Sequence, residues 1–295
     1  MALAEDLKSS KHSLDEFKKL TIDVLRYLPL VISHSDRKSG YIIYSTVAAG
    51  TTKYIRPIKE ELFLDKDGDF ESFYEECIDI FSKLKSGERV FGPDSYSVID
   101  KVIYTIQQSI GAGLDLFVDS NSAKKHVGNR FEELIRAIVS ELNVANKKVV
   151  LKIPYDTDEG IKMYSCETDL VFSPYQNVLS TSRHIDQREV VVSLKSTSKD
   201  RMGKIFIDKI LLERFVGGNV KHIGIFLNDV QRKSIDNISF TFVPGLFLVY
   251  TKFLAKMDGV YFIDLPPKAK TKPYNNYIFP FSKFIIEDIW ILTNP

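Results

Sequence analysis

The sequence predicts an α/β protein in which a mixed sheet is flanked by helices, with a mainly helical region at the N-terminus. Three observations support this fold class. Apolar residues recur at helical spacing in the first third of the chain. After residue 128, short apolar runs of strand length alternate with amphipathic helices. One run, 189–194, is almost wholly apolar, which is typical of a central strand.

The N-terminal region, 1–120, contains the first predicted elements. A Ser-Leu-Asp-Glu capping box at 13–16 begins a helix that Pro29 is expected to stop. A hairpin is predicted within 40–58, and helices at 70–84 and 96–116. The Gly-Ala-Gly at 111–113 lacks the preceding strand and third glycine of a nucleotide loop, so it indicates a helix end. We expect dimer contacts, DNA contacts or both in this region.

The second region, 121–295, carries the alternating pattern. Its predicted elements are a helix at 129–142, strands at 149–154, 163–172 and 189–194, a helix to about 215, a strand at 222–227, a helix near 244–253 and a strand at 260–265. This order predicts a mixed sheet with helices on its faces.

Composition sets outer limits on the function. The chain has 295 residues, 44% of them hydrophobic and 12% aromatic, which is ample for a sizeable core. A net charge of +1 excludes no partner, since basic residues can be concentrated at a cleft. No apolar run approaches the roughly 20 residues of a membrane span, and no signal peptide is evident. Cys77 and Cys166 are too far apart to indicate a disulfide framework, so we expect a cytoplasmic protein.

A carboxylate and a lysine accompany two of the predicted strands. Asp169 lies in the run Cys-Glu-Thr-Asp-Leu-Val-Phe, and Lys195 follows the apolar run 189–194. Phosphodiester hydrolysis needs one or two Mg²⁺ ions on hard oxygen ligands, and a lysine helps to position or deprotonate the attacking water. A single Asp at a strand end is ordinarily a solvated turn residue. The nuclease interpretation therefore depends on the combination.

This combination resembles the PD-(D/E)XK nuclease superfamily, with one departure. Ser193 stands where that family has an acid two residues before the lysine. One restriction-endonuclease branch, typified by EcoRII and NgoMIV, takes its second acid from the following helix, after a Lys-Thr-Xaa-Xaa-Lys-Asp/Glu-Arg-like run. This chain has Lys-Ser-Thr-Ser-Lys-Asp-Arg at 195–201, and Asp208 lies thirteen residues after Lys195. The resemblance covers about 128–265 and implies a restriction-endonuclease-like core.

The helix pattern supports Asp208 as the displaced acid. Ile205, Leu212 and Phe215 share a stripe with Asp208. An acid on an inward stripe is costly unless it is paired or binds a cation. Glu213, off that stripe, is the alternative.

The resemblance also implies a glutamate on the first core helix that orders the metal or its water. Glu132 flanks the apolar stripe of that helix, whereas Glu133 points away from it. A favourable first-turn acid is the other interpretation of Glu132. The implied catalytic residues are Asp169, Lys195, Asp208 and Glu132, with Asp169 and Asp208 as ligands of Mg²⁺.

Lys199, Asp200 and Arg201 occupy the positions of base-reading residues in the resembling enzymes. Arg can donate two hydrogen bonds to guanine and Asp can accept one from cytosine, so together they suit a G·C pair. The resemblance points to CC/GG half-sites. Arg183 and Arg188, in the segment 173–188, are candidates for further phosphate or base contacts. A helix start with a surface loop is the simpler interpretation of both segments.

Three functions remain open at this stage. The first is a Mg²⁺-dependent type II restriction endonuclease that cuts double-stranded DNA at a short palindrome, which requires a homodimer or a larger assembly such as a tetramer. The second is a repair or recombination nuclease that recognises DNA structure. The third is a non-catalytic DNA-binding protein on a degenerate nuclease fold. No nucleotide cofactor is expected, and the five histidines lack metal-ligand spacing.

Overall fold

The fold is built around a six-stranded sheet that has a buried strand at its centre. The computed structural model describes residues 2–48, 50–199, 201–234 and 237–294. The helices are α1 (Ala2–Lys8), α2 (Leu14–Val31), α3 (Asp67–Lys85), α4 (Pro93–Phe117), α5 (Ser120–Glu141), α6 (Met202–Val216), α7 (Pro244–Phe253), α8 (Phe281–Lys283) and α9 (Ile289–Leu292), the last two joined by a π-helical turn (Phe284–Asp288). The strands are β1 (His34–Lys38), β2 (Tyr41–Ala48), β3 (Thr51–Tyr54), β4 (Ile58–Lys59), β5 (Asn146–Lys147), β6 (Val150–Thr157), β7 (Gly160–Glu167), β8 (Leu170–Phe172), β9 (Val190–Lys195), β10 (Lys221–Phe226), β11 (Val230–Ser234), β12 (Asn237–Phe240), β13 (Gly259–Phe262) and β14 (Ile278–Pro280).

The main sheet is mixed, as the sequence predicts. Its order is β14-β13-β10-β9-β8-β5. The strands β9, β10, β13 and β14 run parallel, whereas β8 pairs antiparallel with both β9 and β5. Every residue of β9 is buried, which confirms the central position expected from its apolar run.

Helices cover both faces of this sheet. The larger hydrophobic core joins α1–α5 and the C-terminal helical segment to Val192 and Leu194 of β9 and to Ile223 of β10. On the opposite face, α6 and α7 pack against β10 and β13 through Phe206, Phe247 and neighbouring aromatic residues. The larger core therefore includes residues from both sides of position 120, and the division there stays a prediction.

Two details of the helices differ from the sequence prediction. Pro29 does not stop α2, because the backbone N–H of Ile32 still donates to the carbonyl oxygen of Leu28 and closes the last turn. The Gly-Ala-Gly at 111–113 is not a helix end but lies inside α4. Its glycines allow close packing, since a Cβ on Gly111 would lie 2.3 Å from the Arg56 guanidinium. These glycines are therefore explained by close packing against neighbouring side chains, and not by a reversal of the chain.

The predicted strand 163–172 is divided in two. Its first part, β7, pairs only with β6 in a separate two-stranded ribbon, and its second part, β8, belongs to the main sheet. Thr168 makes the transition: its backbone N–H and hydroxyl both donate to the carbonyl oxygen of Val149 at 2.9 Å. Asp169 follows directly, at the start of β8.

A small antiparallel sheet of β1–β4 forms the non-helical part of the N-terminal region. Tyr41 and Ile43 of this sheet pack against Val230 and Ile238 of the β11–β12 hairpin. The hairpin follows the carboxyl end of β10, so the small sheet lies at the same edge of the main sheet as the end of β9. Among the described residues, no helix is both long enough and apolar enough to span a membrane.

Candidate active site

Asp169 and Lys195 meet at the carboxyl end of β9. Because β8 and β9 are antiparallel, the start of β8 lies beside the end of β9. The Asp169 Oδ2 atom accepts hydrogen bonds from the Lys195 ammonium at 2.5 Å and from the backbone N–H of Leu194 at 2.7 Å. Lys195 is buried and Asp169 is partly exposed. The pair predicted from the sequence is therefore brought into direct contact.

Glu132 faces this pair from α5. It is half-buried, and it has no hydrogen bond or ion pair within the described residues. Burial raises the pKa of the Glu132 carboxyl, and the negative charge of Asp169 raises it further, while Lys148 and Lys195 lower it. The helix α5 packs against β8 and β9 in the larger core, which places Glu132 on the helix next to this pair. Glu133, the neighbouring acid on α5, pairs with Arg130, and the role of Glu132 stays a prediction.

Asp208 is paired with a lysine of its own helix. Both of its oxygens accept hydrogen bonds from Lys204, one turn earlier in α6, at 2.8 and 3.1 Å. This bond raises the pKa of Lys204. Ile205 and Leu212 on the same stripe are buried, as expected, whereas Asp208 is half-buried. Its charge reaches Cys166, whose thiol pKa is raised by burial and then by Asp208.

These side chains offer oxygen ligands of the type that Mg²⁺ prefers. Both hydrogen bonds to Asp169 that the described residues make fall on Oδ2, so Oδ1 is available as a ligand. Within the described residues, no group of three or more His, Cys, Asp or Glu side chains is arranged to hold a metal ion. The carboxylates of Asp169 and Asp208 suit a magnesium ion, which Asp208 could bind only by releasing Lys204, and Glu132 could orient a water molecule of that ion.

Ser193 is occupied by another interaction. Its Oγ lies 2.9 Å from the Nε2 atom of His222 on β10, and both residues are buried. Burial lowers the pKa of His222 to about 3, so the imidazole is neutral at physiological pH. The position that an acid holds in the resembling family is therefore filled by a neutral hydrogen-bonded pair.

The candidate base-reading residues follow β9 directly. Lys199 and Arg201 are exposed, and neither has an ion pair among the residues that the structure describes. Asp200 lies outside the described residues. The backbone N–H of Arg201 donates to the carbonyl oxygen of Ser198 at the start of α6. The structure therefore places two exposed cations at the edge that carries Asp169 and Lys195.

Arg183 and Arg188 are placed differently. Arg188 precedes the first residue of β9, whereas Lys195 is its last, so about 20 Å of strand separates them. The Arg188 guanidinium stacks on Tyr175 at 4.9 Å. Arg183 is exposed in a loop tied to the β6–β7 ribbon, because Lys152 N–H donates to the carbonyl oxygen of Ser182. The structure does not bring Arg188 to the candidate site.

Comparison with known proteins adds to this geometry. No protein-family profile and no curated protein matches the sequence. Among solved structures, the type IIP restriction endonuclease Kpn2I matches with a TM-score of 0.71 at 18% identity, over 95% of this chain and 91% of that chain. The chain has the restriction-endonuclease fold. The restriction endonuclease PspGI in its substrate DNA complex gives a TM-score of 0.42 at 12% identity, over 76% of this chain and 93% of that chain, which is too low to carry an argument.

The sequence analysis did not identify two residues that contact the positions discussed above, Lys204 and His222. Lys204 was detectable, because Lys and Asp four residues apart on a helix commonly pair. His222 was considered only as a metal ligand, and its contact with Ser193 depends on the parallel register of β9 and β10. That register is a tertiary feature, which local spacing does not reveal.

Proposed function

We propose that the protein is a type II restriction endonuclease of the displaced-acid, EcoRII/NgoMIV-like branch. It would hydrolyse double-stranded DNA at a short palindrome and leave 5′-phosphates. The observation that carries the proposal is the Asp169–Lys195 pair at the end of the central strand, in a chain with the restriction-endonuclease fold. A carboxylate and a lysine in contact at the end of a strand are groups that metal-dependent phosphodiester hydrolysis uses.

The roles follow from the positions of the side chains. Lys195 would hold the attacking water and take up or release its proton, while Asp169 and Leu194 N–H keep the ammonium in place. Asp169 and Asp208 are the proposed magnesium ligands, and Glu132 would orient water beside them. Bound Mg²⁺ would neutralise charge on the scissile phosphate and lower the pKa of water.

Sequence recognition is assigned to the segment after Lys195. Lys199 and Arg201 present exposed cations at this edge, and Asp200 is proposed with them. An arginine donating to guanine and an aspartate accepting from cytosine would read G·C pairs, consistent with CC/GG half-sites. We propose that Arg183 contacts the DNA backbone. Arg188 lies before the first residue of β9, so it would reach DNA only at the end of the strand opposite Lys195.

A palindromic target requires two copies of the chain, because each copy would cut one strand. We therefore propose a homodimer as the minimal assembly, with a tetramer as the larger alternative. The cytoplasmic location expected from the sequence is part of the same proposal.

Cleavage of phage DNA by the purified protein, with Mg²⁺ and with EDTA, tests the function. Lys195→Ala and Asp208→Ala are the test variants, and each is expected to lower the rate by about 10²–10⁴-fold. Lys11→Ala is the control, since Lys11 is also a buried lysine paired with an aspartate but lies in the N-terminal region. Circular dichroism of each variant separates lost chemistry from lost folding.

Discrete Mg²⁺-dependent fragments that disappear in both test variants, but not in the control, support the proposal. Mapping the fragment ends would identify the recognition site. These ends are expected to carry 5′-phosphates. A smear of products indicates a structure-directed nuclease instead. DNA binding without any cutting indicates a degenerate nuclease fold.

A further inference from the structure

Ser198 anchors the segment that carries the candidate base-reading residues. Among the described residues of 196–201 it is the one that is buried, while its neighbour Lys199 is exposed. Its N–H donates to the carbonyl oxygen of Asn228 at 3.1 Å, and its own carbonyl oxygen accepts from the N–H groups of Arg201 and Met202. Ser198 therefore supplies three backbone hydrogen bonds to this segment, and the Lys199 N–H adds one to the Thr197 hydroxyl.

The side chain of Ser198 adds a directional hydroxyl contact. Its Oγ lies 3.0 Å from the Oγ1 atom of Thr241. The Thr241 hydroxyl donates its one hydrogen to the carbonyl oxygen of Asp229 at 2.8 Å, so Ser198 must be the donor in the pair. Thr241 N–H donates to the same carbonyl oxygen at 2.7 Å. The two hydroxyls thus connect the reading segment to the base of the β11–β12 hairpin.

The hairpin is itself fixed to the small N-terminal sheet. Val230 and Ile238 pack against Tyr41 and neighbouring residues. On the same hairpin face, the Arg232 guanidinium stacks on Tyr54 at 4.7 Å. The hairpin that Ser198 contacts is therefore itself packed against the N-terminal sheet.

The catalytic pair is held by other contacts. Asp169 and Lys195 are fixed by the β8–β9 pairing and by Leu194 N–H, none of which involves Thr241. A change in the Ser198–Thr241 contact would thus affect the placement of Lys199 and Arg201 more than the chemistry.

We propose that Ser198 and Thr241 are positioning residues for sequence discrimination: their hydroxyl pair holds Lys199 and Arg201 in register with the bases. This inference rests on the proposed function, because it requires that the segment read DNA. Loss of the pair would lower the cleavage efficiency of the cognate site and leave poorly bound sites unaffected.

Ser198→Ala tests the proposal with little disturbance elsewhere, because it removes the donor and leaves the Thr241 bond to Asp229 intact. Cleavage of a randomised-site library first gives the wild-type cognate site. The ratio of kcat/KM on this site to kcat/KM on single-base variants is then expected to fall roughly fivefold, the factor equivalent to one hydrogen bond of about 1 kcal/mol. The change should lie in KM rather than in kcat.

Three further variants sharpen the comparison. Thr241→Ser keeps the hydroxyl and should retain wild-type discrimination. Thr241→Val removes the acceptor of the Ser198 hydroxyl, while the Asp229 carbonyl oxygen keeps the Thr241 N–H, so discrimination should fall at least as far as in Ser198→Ala. Thr21→Val is the control: Thr21 is a buried hydroxyl in α2 that bonds only to the carbonyl oxygen of Phe17, and its removal should not alter discrimination.

The outcomes separate this inference from the proposed function. A wild-type protein that does not cut, or that cuts without sequence preference, contradicts the proposed function and removes the basis of the inference with it. A sequence-specific wild type whose Ser198→Ala variant keeps its discrimination ratio overturns the inference alone. Equal losses on cognate and altered sites would also overturn it, since they indicate a general structural role.

Discussion

A buried ion pair joins the N-terminal sheet to the main sheet, and its removal should be costly. Lys59 of β4 lies 2.8 Å from Oδ1 of Asp264, which follows β13, and Tyr41 of β2 donates to Oδ2 at 2.6 Å. At an effective dielectric constant of about 20, the attraction at 2.8 Å is about 6 kcal/mol. Part of this is offset by the desolvation of Lys59. We expect Lys59→Met to cost about 3–5 kcal/mol, because it leaves a buried carboxylate without its cation.

The cost should depend on pH. Burial already raises the pKa of Asp264, while Lys59 lowers it, so the variant's carboxyl would have a still higher pKa. A carboxyl whose pKa is higher in the folded than in the unfolded state contributes stability at low pH that is lost as pH rises. The penalty of Lys59→Met should therefore be larger at pH 8 than at pH 5. Nearby Asp229, whose pKa burial raises to about 6, adds to the repulsion over the same interval.

Urea unfolding followed by circular dichroism and by the single tryptophan, Trp290, measures the effect. With a slope of about 3 kcal/mol per molar urea, the midpoint should fall by about 1 M or more. Lys83→Met is the control, because the Lys83–Asp79 pair is exposed and contributes little to stability. A Lys59→Met midpoint no lower than that of this control, or a penalty that shrinks as pH rises, would refute the reasoning.

Three further outcomes are expected. Lys204→Met should lower the Mg²⁺ concentration for half-maximal cleavage by up to about fivefold, because it frees Asp208 from an exposed pair; a magnesium titration of the cleavage rate measures this. Burial raises the pKa of Asp100 to about 7, so the wild type should lose stability between about pH 4 and 7; thermal unfolding of Asp100→Asn should show a weaker pH dependence. Gly111→Ala should destabilise by about 1–3 kcal/mol in urea unfolding, because the new Cβ displaces Arg56.

The sequence predicted best where one local property dominates. The apolar run before Lys195 could only be a strand buried on both faces, and β9 is such a strand. The capping box at 13–16 begins α2 as expected, because its two reciprocal hydrogen bonds involve only neighbouring residues. The Asp169–Lys195 contact was also predictable, since polar residues at the ends of paired strands share one edge of a sheet.

The sequence was least informative where contacts between residues far apart in the chain determine the structure. The change from the β6–β7 ribbon to the main sheet at Thr168 depends on Val149, nineteen residues earlier. Ser198 and Thr241 are 43 residues apart, and neither carries a motif. The Gly-Ala-Gly of α4 looked like a helix end because the close approach of Arg56 to Gly111 is absent from the local pattern.

The arrangement suggests why chemistry and recognition can vary independently in such a fold. Asp169 and Lys195 are held within the main sheet by strand pairing and by a backbone N–H. The segment that begins at Ser198 is instead held by the β11–β12 hairpin, which rests on the N-terminal sheet. The two supports meet only one residue apart, where Leu227 N–H donates to the carbonyl oxygen of Lys195 and the carbonyl oxygen of Asn228 accepts from Ser198 N–H. A substitution on the hairpin away from this backbone would act first on the segment that Ser198 anchors. If that segment reads DNA as proposed, the N-terminal sheet would act on specificity through the hairpin.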